Sequence, residues 1–390
     1  MLAASRAGAS ATSPPEGLGR YWYATEQTES RPLPHYVRFS KDGTEARRDD
    51  SSCRGPLKES VLDMNALVEV LGADISLRDL KLSSCGRRAA CILEQVGQRS
   101  QVYLLWLPAP RLQPLTRPEL RRVRALEGAV ALDWLGDARQ GLCATLADAS
   151  GRAAGVALCD PDATEAVLTR ICQEPDPAVF VHAARSRDGS ALVVSRLGKA
   201  SSEVWIGGTD EIARQAKLRI PNLESSVGEQ LRACGFSVLV PWQRGCETYA
   251  DVAQPWAYAL SNWERAGEGM CVYRTSMEAL ASGRPPQPTL VYRPPEEESL
   301  EDIVVTRHGI VLCGRRRAVT PMLCVVKENE RDGESPTSTT TWVKQDVPLP
   351  PWALHASLGV NADFESSLVR VKLSSPAELE QAWDWDVELE

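Results

Sequence analysis

The segment from Ala178 to Gly208 predicts a three-stranded antiparallel meander. An apolar run, Ala178 to Ala184, is followed by a turn at Arg187 to Gly189 and by a second run, SALVVS, with β-branched residues at its centre. The loop LGKASS then leads to a third strand, EVWI. Asp and Gly suit the turn because they tolerate the backbone angles that a hairpin requires. A meander has one face to bury, so this segment needs neighbours of its own kind.

The same order of strand, glycine turn, strand, loop and strand recurs along the whole chain. Units begin near residues 21, 75, 129, 178, 231, 302 and 342, and the glycines taken as markers are 86, 136, 189, 245, 309 and 359. Seven units of roughly 50 to 64 residues predict an all-β fold, a seven-bladed β-propeller with four-stranded antiparallel blades. A two-domain β-sandwich array is the alternative, but the long period and the lack of a central linker disfavour it.

The predicted domain organisation is a tail at residues 1–19 and a propeller domain at residues 20–390, with no α/β-hydrolase domain. The tail is rich in Ala, Ser and Gly and is expected to be disordered, although a weak transit signal fits the same composition. Tyr21 to Thr25 and His35 to Phe39 are expected to form strands joined by a polar loop. Val61 to Gly72 fits either a helix or a strand followed by a short helix.

Five polar or proline-rich stretches are interpreted as connections. They are residues 40–60, 108–126, 209–230, 282–301 and 328–341, and the last is expected to be a mobile loop. Two basic runs fall near these stretches. Arg121, Arg122 and Arg124 suit an acidic partner, but a solvated loop is the stronger interpretation, and Arg315 to Arg317 are expected to form an exposed turn.

Charge and hydropathy exclude two classes of partner. The chain has 44 Lys and Arg against 52 Asp and Glu, a net charge of −8, so it lacks the basic field that nucleic-acid binding requires. No apolar run reaches the roughly 18 to 20 residues that a membrane-spanning helix needs. We therefore expect neither a nucleic-acid partner nor a membrane span.

The cysteines and histidines predict no metal site. Eleven cysteines between Cys53 and Cys324 include no C-x-x-C pair, and most lie in apolar strands, so free thiols in a reducing compartment, the cytosol, are expected. The four histidines, which lie far apart and lack a close Cys or carboxylate at ligand spacing, are His35, His182, His308 and His355.

No catalytic or cofactor-binding motif is present. The chain lacks G-x-S-x-G, G-x-G-x-x-G, the P-loop pattern and H-E-x-x-H, so no catalytic, cofactor-binding or metal-binding residue is assigned. His182 is interpreted as a core or channel-lining residue. The recurring tryptophans are expected to fill space between blades. The dipeptides in Trp383 to Asp386 do not indicate a WD-repeat propeller, whose period is about 40 to 45 residues.

Four segments resemble the propeller part of the prolyl oligopeptidase family. They are SRDGSALVVSRLGKASSEVWI, VLDMNALVEV, VPLPPWAL and VRVKLSSPAELEQAWDWDVELE, and the similarity spans roughly residues 20–390. The resemblance implies a serine hydrolase of short peptides or esters. It also implies that the catalytic triad lies on an α/β-hydrolase domain, while the propeller covers the site and screens substrates by size.

The resemblance leaves this chain without a catalytic residue to carry over. The expected partners are a missing or separate α/β-hydrolase domain and short peptides, and the chain alone is expected to be inactive. The alternative is a stand-alone interaction scaffold that binds a protein through the loops at 108–126 and 282–301. A third possibility, an enzyme built on the propeller itself, would need polar groups around the central channel.

Overall fold

A computed structural model describes most of the chain and confirms the seven-bladed β-propeller. The described residues are 10–41, 58–72, 74–107, 119–136, 141–163, 168–218, 221–265, 268–283, 287–329 and 341–389. Their strands form seven antiparallel sheets in which successive strands of the sequence are neighbours, as in a meander. These residues contain no α/β-hydrolase fold.

The chain divides into two compact units. The described residues of the amino-terminal unit lie within 10–185 and 209–235, and those of the carboxy-terminal unit lie within 186–208 and 236–389. Each unit is built from short strands, with a few short helices between them.

The described residues of the amino-terminal unit form fourteen strands, three α-helices and a short 3-10 helix. The first sheet comprises β1 (Ser10–Thr12), β2 (Glu16–Leu18), β3 (Tyr21–Thr28), β4 (Arg31–Ser40) and β5 (Glu59–Asp63). The second comprises β6 (Ile75–Leu82), β7 (Arg88–Gln95), β8 (Gln101–Trp106) and β9 (Glu119–Arg122). The third comprises β10 (Ala129–Trp134), β11 (Leu142–Ala147), β12 (Ala153–Cys159) and β13 (Leu168–Gln173). The remaining elements are β14 (Phe180–Arg185), α1 (Met64–Leu71), α2 (Thr209–Leu218) and α3 (Val227–Ala233).

In the carboxy-terminal unit, the described residues form the other strands, one α-helix and a short 3-10 helix. The fourth sheet has the order β14, β15 (Ala191–Gly198), β16 (Ser201–Gly208) and β17 (Ser237–Arg244). The fifth comprises β18 (Thr248–Ala253), β19 (Trp256–Ser261), β20 (Cys271–Ser276) and β21 (Thr289–Tyr292), with α4 (Met277–Ala281) after β20. The sixth comprises β22 (Glu298–Thr306), β23 (Gly309–Arg316), β24 (Thr320–Asn329) and β25 (Thr341–Asp346). The seventh comprises β26 (His355–Leu358), β27 (Leu368–Ser375) and β28 (Glu378–Asp386).

Apolar side chains from facing sheets form the cores. In the amino-terminal unit, Ile92, Leu104 and Leu132 pack in a cluster with the fully buried Trp134. The indole Nε1 of Trp134 donates to the carbonyl oxygen of Lys81 at 3.0 Å, which ties the third sheet to the second. A buried indole that finds an acceptor avoids the cost of an unsatisfied donor.

The prediction that tryptophans fill space in the core is correct only in part. Trp134 and Trp205 are buried, but Trp242 and Trp383 expose 41% and 40% of their surface. Both exposed tryptophans lie on outermost described strands, β17 and β28, where one side of the sheet meets solvent.

The predicted hairpin turn at Arg187 to Gly189 is confirmed. Gly189 has φ 76° and its amide donates to the carbonyl oxygen of Ser186 at 2.9 Å. A positive φ favours glycine because a Cβ would be strained there. The Asp188 carboxylate accepts from the amide and the hydroxyl of Ser190, so the side chain holds the same turn.

The first sheet differs from the sequence-based expectation at three places. Residues 10–12 and 16–18 of the predicted disordered tail are strands paired with β3, while residues 1–9 lie outside the described residues. Pro32 and Pro34 lie inside β4 rather than in a loop, because the hairpin turn is shorter than predicted. Of the two readings of residues 61–72, a strand followed by a short helix is correct.

The fourth strands of the blades were missed. The stretch 108–126, interpreted as a connection, contains β9. The stretch 282–301 contains β21 and the start of β22. Residues 237–242 and 342 were expected to start new units, but they belong to β17 and β25, which complete the fourth and sixth sheets. Gly245 therefore lies between two sheets and does not mark the first turn of a blade.

The stretch 209–230 is largely helical. Helices α2 and α3 interrupt the fourth sheet between β16 and β17. A capping box begins α3, in which the Ser226 hydroxyl accepts from the Glu229 amide and the Glu229 carboxylate accepts from the Ser226 amide. The sequence of residues 226–229, SVGE, has the S-x-x-E pattern that is typical of such a helix start.

Candidate functional site on the innermost strands

In the second to seventh sheets, the first strand is the innermost strand. In the amino-terminal unit β10 lies against β6 and β14, and in the carboxy-terminal unit β22 lies against β18 and β26. Strands that converge in this way line the central channel of a propeller. Their polar side chains are the groups that a ligand in such a channel would meet.

Two carboxylates of the amino-terminal unit are held by backbone amides. Asp79 of β6 accepts from the amide of Leu132 at 3.2 Å, and Asp133 of β10 accepts from the amide of Arg185 at 2.9 Å. Each bond joins an innermost strand to the next one. These carboxylates therefore hold adjacent blades together, and the hydrogen bonds fix their position.

Lys81 and His182 face the same region with no such partner. Within the described part of the chain, neither the Lys81 ammonium nor the His182 ring has a hydrogen-bond or ion-pair partner. Burial lowers the pKa of His182, and the positive charge of Lys81 lowers it further, while Asp133 and Asp79 oppose this effect. Lysine and histidine thus remain available for a ligand beside two fixed carboxylates.

The core alternative for His182 is wrong. Its side chain is exposed to water, yet protein atoms around it are dense enough to make burial the main cause of its lowered pKa. A side chain on a concave, water-accessible surface has both properties. This environment agrees with the channel-lining alternative.

In the carboxy-terminal unit, an arginine connects the innermost strands. The amide and Nε of Arg187 donate to the two oxygens of the Asp251 carboxylate at 3.0 and 3.1 Å. A terminal nitrogen of the same guanidinium donates to the carbonyl oxygen of Asn361 at 3.2 Å. Burial raises the pKa values of Asp251 and Asp302, and the charge of Arg187 opposes both shifts.

Sequence reasoning missed the role of Arg187. The turn was interpreted as a structural signature alone because Asp188 and Gly189 explain its backbone. The available signal was the arginine itself, since a charged side chain at this position is not needed to form the turn. Its partners are 64 and 174 residues away, and no local pattern identifies them.

The amino-terminal unit also has an open cleft of about 460 Å³. It lies between the turn that joins β7 to β8 and the turn that joins β11 to β12, and its lining includes Arg78, Glu94, Arg99 and Asp148. Arg78 pairs with Glu94, so part of its charge is already neutralised. The volume is within the usual range for small-ligand sites.

The two predicted basic runs do not form binding patches. Arg121 lies on β9, stacks over the Trp106 ring at 5.3 Å and donates to the Pro161 carbonyl, and Arg122 pairs with Glu127. Arg124 is exposed in a short 3-10 helix.

The second run is neutralised by nearby acids. Arg315 and Arg316 lie on β23 and pair with Glu301 and Glu298, while Arg317 follows the strand and pairs with Glu297. The expected exposed turn is thus restricted to Arg317.

The remaining histidines have separate surroundings. His35 bonds to Ser60, His308 lies 2.8 Å from a carboxylate oxygen of Glu388, and His355 lies beside Arg315. Among the described residues, no three His, Cys, Asp or Glu side chains form a group that could hold a metal ion.

The loops proposed as a protein-binding platform are only partly loops. Residues 119–122 and 289–292 are the outer strands β9 and β21, and residues 298–301 begin β22. Residues 108–118 and 284–286 lie outside the described residues, as do residues 330–340 of the predicted mobile loop. In the described range, no helix is long and apolar enough to cross a membrane.

Comparison with known proteins gives matches at the level of structure. No protein-family model and no curated protein sequence matches the chain. Oligopeptidase B from Leishmania major superposes with a TM-score of 0.71 at 16% identity, over 98% of this chain and 48% of that one. Oligopeptidase B from Trypanosoma brucei with covalently bound antipain gives 0.69 at 17% identity, over 97% and 47%.

A post-proline cleaving enzyme from Rickettsia typhi is also similar, with a TM-score of 0.62 at 13% identity. The match covers 95% of this chain and 51% of that one. The chain thus spans about half the length of these solved structures. At such low identity the comparisons establish the fold, and the chain has the propeller fold found in oligopeptidases of this kind.

Proposed function

We propose that this chain is the propeller portion of a prolyl-oligopeptidase-like serine hydrolase that acts on short peptides or esters. In this proposal an α/β-hydrolase domain, in the same polypeptide or a separate one, carries the catalytic triad, and the propeller screens substrates by size. The observation that carries the proposal is the similarity over nearly the whole chain to about half of each peptidase.

The innermost strands of the amino-terminal unit support a peptide ligand. A peptide offers carbonyl oxygens and a terminal carboxylate, and the Lys81 ammonium and His182 ring have donors that are not used within the described chain. Asp79 and Asp133 are fixed by backbone amides, so they add negative charge without moving. Preorganised polar groups of this kind bind a ligand without a large ordering cost.

We also propose a cytosolic location. The ten described cysteines are not disulfide-bonded, and nine of them are buried. Burial raises the pKa of Cys91 and of Cys313 to about 12, so these thiols stay protonated and unreactive near neutral pH. Such cysteines suit a reducing compartment.

The test uses the protein as it occurs in its own cells. An antibody against this chain recovers the native species, which is then treated with a fluorophosphonate probe and sequenced by mass spectrometry. We expect one labelled serine in a G-x-S-x-G context, on the same polypeptide or on a stoichiometric partner. Recovery of the chain alone and unlabelled would refute the proposal and favour a stand-alone scaffold.

Screening by size is tested on the labelled species with peptides of increasing length. The rate of peptide cleavage is expected to fall steeply beyond a limiting length.

Lys81→Met is expected to weaken cleavage of peptides with a free carboxylate, with an amidated peptide as the substrate control. Lys217→Met, on the surface helix α2, is the matched control variant and is expected to have no effect.

A further inference from the structure

Arg187, in the fourth blade, makes hydrogen bonds with the fifth and the seventh blades. It lies in the turn before β15, and its Nε donates to Asp251 of β18 in the fifth blade. Its terminal nitrogen reaches the carbonyl oxygen of Asn361, in the segment after β26 of the seventh blade. The guanidinium therefore fills the gap between the innermost strand of one blade and a loop of another.

The acceptors around Arg187 form a site for a planar cation. Asp251 supplies its Oδ2 to the guanidinium, since its Oδ1 accepts from the amides of Arg187 and Val252, and Asn361 supplies a carbonyl oxygen. Asp302 lies on β22, which packs against β18, and burial raises its pKa while the charge of Arg187 lowers it. A guanidinium suits a carboxylate and a carbonyl oxygen together because it carries several donors in a rigid fork.

The site has more negative than positive charge. Asp302 has no ion-pair partner among the described residues, and its Oδ1 accepts only from the neighbouring Ile303 amide at 2.8 Å. Asp188, which also faces Asp251, is engaged by turn groups and by the Gln254 amide at 3.0 Å. Arg187 is thus a single cation beside three carboxylates.

Arg187 is not sealed into the protein. Its side chain is 25% exposed, whereas that of Asp251 is 13% exposed. The arginine therefore lies on the water side of the site and can swing away without opening the core. The acceptors behind it are held by the β18 and β22 backbone and would remain in place.

We propose that Asp251, Asp302 and the carbonyl oxygen of Asn361 form a binding site for the cationic side chain of a peptide, and that Arg187 occupies this site as a displaceable latch. The peptide as ligand rests on the proposed function. Because Arg187 is tethered, an incoming cation competes against an effective concentration on the order of millimolar. Because the site carries more negative than positive charge, peptides with arginine or lysine should bind to it more readily than acidic peptides.

Removal of the latch tests the site directly. In Arg187→Ala, agmatine, a small guanidinium compound, should occupy the vacated site and raise the melting temperature. At a concentration about tenfold above its Kd, we expect a rise on the order of 2 °C or more. N-butylurea, which is planar but neutral, should give no rise.

Two control variants make the outcome specific. Arg187→Ala combined with Asp251→Asn should lose the response to agmatine because its main acceptor has lost its charge. Arg214→Ala removes an exposed arginine that pairs with Glu211 on α2, and agmatine should not stabilise that variant. A folded Arg187→Ala that gains nothing from agmatine, or gains as much from N-butylurea, would overturn the proposal.

A second measurement covers the case in which Arg187→Ala does not fold. In the wild-type chain, the Nε–H resonance of Arg187 should move towards the position of a solvated arginine as excess agmatine is added. An unchanged resonance would contradict a displaceable latch. Neither experiment uses a hydrolase domain, so either can fail while the proposed function stands, and the reverse also holds.

Discussion

The buried ion pair between Arg38 and Glu59 gives the sharpest stability prediction. Arg38 is 1% exposed, its Nε donates to the Glu59 carboxylate at 2.7 Å, and a second nitrogen lies 2.6 Å from the same oxygen. The guanidinium also donates to the carbonyl oxygen of Gly86 and lies 4.3 Å from the centre of the Tyr21 ring. It thus joins the first sheet to the first turn of the second.

Arg38→Met leaves the carboxylate of Glu59, which is 9% exposed, without its partner. Removal of one member of a buried pair costs about 3 to 5 kcal/mol, because the remaining charge is neither solvated nor paired. In Arg38→Met/Glu59→Leu no charge remains buried, so the cost should fall to about 1 to 2 kcal/mol, the loss of the bond to Gly86 and of the ring contact. The two residues are therefore expected to be strongly coupled.

The assay is urea unfolding of the single variants and the double variant. Arg31→Met is the matched control, because Arg31 lies on the same strand and pairs with Asp63 of β5 but is 58% exposed. An exposed pair of this kind contributes less than about 1 kcal/mol. The reasoning is refuted if Arg38→Met costs no more than Arg31→Met, or if the double variant is as unstable as the sum of the single ones.

Three further predictions concern titration and local structure. By NMR, His182 should titrate below its ordinary pKa of 6.5, and Lys81→Met should raise this pKa only in part, since burial, the larger cause, remains. Burial alone would raise the pKa of Glu298, but hydrogen bonds led by that from Lys344 lower it. Its contribution to stability is therefore complete above the ordinary pKa of 4.5 and is lost as the pH falls through the folded-state value. Glu298→Gln should lower the melting temperature more at pH 7 than at pH 3. Ser226→Ala should cost about 1 kcal/mol in urea unfolding, and Ser226→Asp clearly less, because Asp can also cap a helix.

The blades were predictable from sequence because the second and third strands of most blades are largely buried. Strands such as β7, β11 and β23 have long runs of buried apolar residues, which are visible without the structure. In some blades the fourth strand, at the outer end of the sheet, has few apolar residues, and the side chains of β25 are all partly buried or exposed. β9 (ELRR) and β25 (TWVKQD) therefore have the composition of loops, and only pairing with β8 and β24 identifies them as strands.

The candidate site was far less predictable than the fold. His182 was recognised because a histidine on an apolar strand is unusual. Asp79 and Asp133 were not singled out, because an aspartate in a strand indicates nothing until its partner on the next blade is known. Arg187 is the extreme case, since its bond to Asn361 depends on how blades far apart in sequence are arranged.

The aspartates of the innermost strands separate structure from function. Asp133, Asp251 and Asp302 each accept a hydrogen bond from the amide of the next residue, so the same local device recurs on β10, β18 and β22. Asp133 also accepts the Arg185 amide on its second oxygen. Asp251 accepts the Arg187 amide on the same oxygen as the Val252 amide, and its second oxygen accepts only from the Arg187 side chain.

Asp302 has the local bond but no such partner in the described chain. An aspartate that accepts the amide of the next residue but no hydrogen bond from another blade has an oxygen left for a ligand. The same argument selects Lys81 and His182 over Asp79 and Asp133 in the other unit. Exchange of Asp302 for Asn should therefore leave the melting temperature nearly unchanged while it weakens agmatine binding to Arg187→Ala. A large loss of stability in Asp302→Asn would show that this carboxylate is structural after all.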